Sequence, residues 1–193
     1  WELLERRQIM AKMSEVFDIM LKLEFNSPAN ALHRNKTESG WTFMGIYQTA
    51  HPKLKMWAKI EEVVSRMGNV ANASKVLYSD KELLKEVEDF YKKTFWDRMW
   101  LDKVVSQHKA NEMFVFGVNA GISRSVRLAQ IVSGAVADGL IGPKTIEAIN
   151  KCDDKVFDVK FDEEEIKYYE AIVRSNPNKG IFLNGWKNRA LAV

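Results

Sequence analysis

The 193 residues are 46% apolar and 28% charged, with a formal net charge of +3, enough apolar content to bury a core as one large domain or two small ones. So slight an excess of positive charge is no nucleic-acid signature, although it fits an anionic polymer as partner. The lone cysteine, Cys152, excludes an internal disulfide, so the fold has to stand on packing.

The N-terminal run WELLERRQIMAKMSEVF is charged and amphipathic and lacks the apolar core of a signal peptide. No stretch reaches transmembrane length, so stable membrane insertion is not expected and synthesis in the cytoplasm is. Ile9, Met13, Phe17, Met20 and Glu24 follow one another at steps of four, four, three and four, which places all five on one face of a helix. Glu24 therefore points where a core residue should. A carboxyl group on such a face loses hydration of its charged form, so its pKa is expected above the ordinary ~4.3. Periodicity alone leaves a second reading open, an ordinary surface glutamate at a helix end.

Residues 35–46 replace helical spacing with Gly, Thr and aromatic residues, which predicts a short hairpin or irregular loop ending at Gly45. Helices are then expected with Leu54, Trp57, Ile60, Val64 and Met67 inward, and after a capping box from Ser79 to Glu82. Phe95, Trp96, Met99 and Trp100 in FWDRMWLDKV read as packing residues. No linker-like composition appears, and any domain boundary falls near residues 105 to 107.

Beyond it, HKANEMFVFGVNAG and SRSVRLAQIV read as two helices separated at Gly121 and Ile122, with Ser123 as N-cap. In VADGLIGPKTIEAIN, Asp138-Gly139 predicts a turn and Pro143 the first position of a helix. The acidic run DDKVFDVKFDEEEI reads as a solvated connection leading to a capping box at Asp162 and Glu165, with no sugar or metal site in it.

The three histidines, His33, His51 and His108, fall in no zinc-ligand spacing. Cys152 adjoins Asp153 and Asp154, whose charge raises a thiol pKa instead of activating it. Nucleophile elbows and phosphate-cradling glycine loops are absent as well, so neither metal nor cofactor is expected. Carboxylate chemistry at Glu24 is what the residues leave.

The run LKLEFNSP followed by ESGWTFMGI resembles glycoside hydrolase family 108, lysozyme-like muramidases in which a glutamate ends a helix and a segment of the form GGxTxxGI follows. The stretch FVFGVNAGISRSVRLAQIVSGAVADGLIGPKTIEAIN is similar to the predicted peptidoglycan-binding module that accompanies this family, most specifically at ADGLIGPKT, and FLNGWKNR resembles its ending. The resemblance implies a mainly α, lysozyme-like fold with a short β-hairpin near residues 36–47. Residues 1–105 would form the catalytic domain, packed on a helical module of residues 106–193. It further implies Glu24 as general acid in cleaving the β-1,4 bond between N-acetylmuramic acid and N-acetylglucosamine. Thr42, with Glu38 as candidate second carboxylate, would position water. Trp41 and Tyr47 would stack on sugars, with His33 beside them.

Where the family continues its glutamate with GGY, this chain has Phe25, Asn26 and Ser27, and its loop ANALHRNKTES is longer. Two alternatives stay open at this point, a lytic transglycosylase and a non-catalytic wall-binding or secretion-accessory protein. The expected setting is that of an endolysin or secretion activator. It would be a monomer acting on peptidoglycan in the periplasm or cell wall after release or assisted export.

Overall fold

In a computed structural model of the chain, residues 10–24, 27–34 and 39–193 are described, Glu24 by its backbone only. The fold is mainly α with one small sheet, as the sequence leads one to expect. The elements run α1 (Met13–Glu24), β1 (Leu32–His33), β2 (Thr42–Phe43), β3 (Ile46–Tyr47), α2 (Met56–Met67), α3 (Val70–Tyr78) and α4 (Lys81–Tyr91). There follow α5 (Gln107–Ala120), α6 (Ile122–Ser133), α7 (Pro143–Lys151), α8 (Asp154–Ser175) and α9 (Leu183–Ala190). Two compact units result, Phe17–Tyr91 and Lys92–Val193 together with the described residues before Phe17.

Within Phe17–Tyr91 the core is built from helical faces and one face of the sheet. Phe17 and Met20 of α1 are buried, as their spacing requires; Ile9 lies outside the described residues. On α2 the inward residues are Met56, Trp57, Ile60 and Val63. Val63 thus takes the place expected of Val64, and Met67 is exposed. The helix turns its apolar stripe one residue earlier than the sequence spacing suggests. The cap of α4 also shifts by one. Asp80 accepts from the backbone N–H groups of Glu82 and Leu83 at 3.1 and 3.0 Å, while the Ser79 hydroxyl donates back to the Val76 carbonyl at 2.9 Å and ends α3.

The sheet is antiparallel, in the order β1-β2-β3, so the expected hairpin gains a third strand. Its β2–β3 connection is the two-residue loop Met44-Gly45, both residues at positive φ, 47° and 77°, as a turn matched to strand twist requires. Met44 is fully buried; its N–H donates to the Ala31 carbonyl at 2.8 Å. Its own carbonyl accepts the Tyr91 hydroxyl at 2.8 Å. Ser74, buried on α3, takes the Leu32 N–H at 2.9 Å and donates to the Pro28 carbonyl at 2.6 Å. The chain between α1 and β1 is thereby tied down at both ends of its short turn.

In the other unit α5 is buried almost all round, from Lys109 to Gly117. Trp96 and Met99 are buried against it, as expected of FWDRMWLDKV, with Trp96 and Phe114 rings 5.9 Å apart. Trp100 stays half-buried beneath the Lys103 ammonium. The break between α5 and α6 falls at Gly121, and α6 starts at Ile122 without a side-chain cap, so Ser123 is not the N-cap.

The turn ADGLIGP is organised by a residue outside it. Gln130, buried on α6, donates to the Asp138 carboxylate, the Leu140 carbonyl and the Thr145 hydroxyl at 2.8 to 3.1 Å. Its side-chain oxygen accepts the Gly139 N–H at 2.8 Å. Gly139 has φ +75°, and a Cβ there would lie 2.9 Å from the Ser123 carbonyl oxygen, so the turn needs glycine twice over. Pro143 opens α7 at its first position, as expected.

The acidic run is no connection: it forms the first half of α8, capped by Asp153. Asp162 and Glu165 sit inside that helix and form no capping box. Phe157, Phe161, Glu165 and Tyr169 recur every four residues as its buried stripe. Burial pushes the Glu165 carboxyl up to about 7, against a lowering by the hydrogen bond it accepts from the Tyr169 hydroxyl at 3.0 Å. Trp186 of α9 stacks on Tyr169 with ring centres 5.1 Å apart.

Two outcomes follow from this packing. Gly45→Ala would set a Cβ 2.5 Å from the Tyr91 hydroxyl at a left-handed position, and Tyr91→Phe would leave a buried carbonyl without its donor. Each is expected to cost ~1–3 kcal/mol, read by thermal or urea unfolding. Unchanged midpoints would mean that the turn is held by something else. For Glu165, a carboxyl raised on folding stabilises fully below its unfolded value near 4.5, and that share is lost as pH rises through about 7. In metal-free buffer Glu165→Gln should therefore flatten the fall in unfolding midpoint between pH 5 and pH 8. An identical slope in the variant would contradict this.

Candidate active site

The sheet sorts the candidate residues by register. His33 pairs with Thr42 and Thr42 with Tyr47, whereas Leu32 pairs with Phe43 and Phe43 with Ile46. Residues directly opposite in antiparallel strands share a face. Leu32, Phe43 and Ile46, each at most 1% exposed, close the core; His33, Thr42 and Tyr47 form a single row on the other face. Thr42, in the middle of that row, is 9% exposed, with exposed His33 and half-buried Tyr47 on either side.

Trp41, half-buried, directly precedes β2. Its N–H donates to the Gln48 side-chain oxygen at 2.9 Å, and the Gln48 amide nitrogen donates in turn to Glu61 at 2.8 Å. The Arg34 guanidinium lies 5.5 Å from the Trp41 ring centre and donates to the Ser39 carbonyl at 3.2 Å. Together these side chains border a cavity of about 640 Å³. Gly40 also lines it, and a Cβ there would come 2.9 Å from the Thr49 hydroxyl. An aromatic plate flanked by an amide, a carboxylate and a guanidinium suits a polyhydroxylated ring, whose faces stack and whose edges hydrogen-bond.

Glu24 is the last residue of α1, one turn beyond buried Met20. From there the chain passes through a short turn, Pro28–Asn30, capped by the Ser27 hydroxyl at 3.1 Å from the Ala29 N–H. Ser27, one of the departures from the family pattern, thus has a local structural task. Glu38 lies outside the described residues. Thus the structure brings His33, Thr42 and Tyr47 into one row and sets Trp41 in a neighbouring groove. Arg34, Gln48 and Glu61 of that groove escape sequence reading, because Gln48 meets Trp41 and Glu61 across 7 and 13 residues without a recurring pattern.

A helical protein with this small antiparallel sheet has a lysozyme-like architecture joined to a helical module. The glycosyl hydrolase 108 family model matches residues 31–121, and the model for a predicted peptidoglycan domain matches residues 124–191. Residues 31–121 thus carry the features of a glycosyl hydrolase 108 domain, and a predicted peptidoglycan domain follows it. Together the two matches support a hydrolase family that acts on peptidoglycan. The first match includes Thr42, Trp41, Tyr47, His33 and Glu38 and begins after Glu24; it ends at the α5–α6 break. The solved structure titled "Structure of Brucella abortus SagA" is similar over 93% of this chain and 94% of that one, with a TM-score of 0.57 and 18% identity. That likeness concerns the fold. No curated protein matches the sequence. Among the described residues, no helix is long and apolar enough to cross a membrane.

The groove yields its own test. Gln48→Leu keeps the side-chain bulk but removes both links, to the Trp41 N–H and to Glu61, and is expected to cost about 1 kcal/mol in thermal unfolding. Glu61→Gln, which keeps an acceptor oxygen, should cost less. If Gln48→Leu unfolds like the parent protein, the amide does not organise the groove.

Proposed function

We propose that the chain is an endolysin-like muramidase that cleaves the β-1,4 bond between N-acetylmuramic acid and N-acetylglucosamine, with Glu24 as general acid. The observation that carries this reading is the placement of Glu24 at the end of α1 in the same compact unit as the outer sheet row of His33, Thr42 and Tyr47. Protonated Glu24 gives its proton to the glycosidic oxygen as the bond from that oxygen to the muramic acid C1 breaks. Thr42 directs a water molecule to the opposite face of the oxocarbenium-like centre, and Glu38 is the candidate to take the water's proton. Trp41 and Tyr47 hold sugar rings, His33 lies beside them, and no metal or cofactor takes part.

Residues 1–105 form the catalytic part in this reading, and residues 106–193 hold the chain on peptidoglycan. The protein works as a monomer in the periplasm or cell wall, reached after release or by assisted export. A non-catalytic wall-binding protein is the second reading. It draws on one observation, that the hydrolase match begins at residue 31 and leaves Glu24 and the altered Phe25-Asn26-Ser27 segment outside it.

Glu24→Gln keeps size and hydrogen bonding but removes the transferable proton. It is expected to lower muropeptide release from purified sacculi by at least ~10²-fold with little change in thermal stability. Wild-type rate should fall as pH rises through the Glu24 pKa, because the acid has to be protonated to act, while the variant should still sediment with sacculi. Near-normal release by folded Glu24→Gln would remove Glu24 as the acid.

A further inference from the structure

The acidic first half of α8 meets the start of α5, and the contact brings together residues that lie 50 positions apart. His108 and Glu112 are four residues apart on α5, and Asp158 and Asp162 are four apart on α8, so each pair occupies one face of its helix, one turn apart. His108 Nε2 lies 2.7 Å from Asp158 Oδ1 and 3.7 Å from Glu112 Oε1. One ligand atom from each of the three residues falls within 4.8 Å of the others.

The depth of the carboxylates is what asks for a cation. The Glu112 side chain is 2% exposed, and the basic group it faces is His108, beyond hydrogen-bond reach. Asp162 Oδ1 is also buried, with no hydrogen-bond partner among the described residues. Asp158, Asp162 and Glu165 all lie within electrostatic reach of Glu112. Asp158 has His108 and Glu165 has the Tyr169 hydroxyl. Glu112 and Asp162 Oδ1, however, lie buried without a hydrogen-bond donor among the described residues, which is costly unless something positive is shared between them.

We propose that His108, Glu112 and Asp158, with Asp162 behind them, form a binding site for one divalent transition-metal ion in the C-terminal helical unit. One imidazole nitrogen and several carboxylate oxygens are a donor set that Zn²⁺ accepts, at about 2.0–2.2 Å from each, which puts ligand atoms about 3.4 Å apart in a tetrahedron. The Glu112–His108 separation is already close to that. The His108–Asp158 hydrogen bond has to give way, and these two side chains, 38% and 41% exposed, have room to turn. Their exposure also leaves the mouth open for entry and for a water ligand, while Glu112 closes the floor. On binding, the ion takes the place of any proton on His108 Nε2, which moves to Nδ1 or leaves to solvent. The ion joins α5 to α8 as facing helices of a bundle do around a core metal. It takes no part in the glycosidase chemistry, and the inference goes beyond the proposed function.

The test uses the full chain, stripped with a chelator, dialysed and titrated with Zn²⁺ by calorimetry, with thermal unfolding as a second readout. One equivalent should bind, and the unfolding midpoint should rise with Zn²⁺ concentration. Asp158→Asn and His108→Gln, both at half-exposed positions, should each weaken binding at least ~10-fold, whereas His51→Ala should bind like the parent. Circular dichroism confirms that each variant is folded. No stoichiometric uptake by the parent chain would overturn the proposal and leave protons as what neutralises the cluster. Undiminished binding by the His108 and Asp158 variants would overturn it equally.

Discussion

The hydrogen bond from the Tyr91 hydroxyl to the Met44 carbonyl, 2.8 Å long and buried, holds the feature on which the candidate site depends. Each of the three strands has two residues, too few to fix their own alignment. The alignment comes instead from a left-handed two-residue turn clamped from outside, by Tyr91 on its carbonyl and by Ala31 on its N–H. A slip of one residue would exchange faces, sending Phe43 outward and Thr42 into the core. The row of His33, Thr42 and Tyr47 therefore exists because Met44 and Gly45 accept positive φ and because α4 ends in a tyrosine.

The C-terminal unit solves a different problem with the same economy of means. In its turn at residues 137–143 Leu140 is largely exposed and Ile141 only half-buried. Gln130 holds the turn instead by using both ends of its amide, donating to the Asp138 carboxylate and the Leu140 carbonyl and accepting the Gly139 N–H. Lys109 does the equivalent at the end of α7, where its buried ammonium meets the Ile149 and Cys152 carbonyls and the Asp154 carboxylate. In both cases a long polar side chain on a buried helix sets a loop, so polarity in the interior marks structure as much as chemistry.

Periodicity made legible what depends on neighbours along the chain. The inward faces of α1 and of the first turns of α2, the turn at Asp138-Gly139 and the start of α7 at Pro143 all follow from spacing and from backbone restrictions of Gly and Pro. A glutamate on an apolar stripe is desolvated at Glu165, between Phe161 and Tyr169. In the sequence the surrounding charges disguise that stripe. Asp80 and Ser79 are both good caps, and only the helix axis decides between them. The Trp41–Gln48–Glu61 chain and the meeting of His108 with Asp158 arise from tertiary packing, which spacing does not encode. Of the candidate site, the register of His33, Thr42 and Tyr47 became visible only once the third strand was placed.

The central claim concerns a bond, so its most direct test is the chemical identity of the products. Purified sacculi digested with the wild-type protein and analysed by mass spectrometry should release muropeptides ending in a reducing N-acetylmuramic acid, one water heavier than the anhydro form. Anhydro-muropeptides would show intramolecular attack and a lytic transglycosylase, and the absence of any released muropeptide would contradict catalysis by this fold altogether.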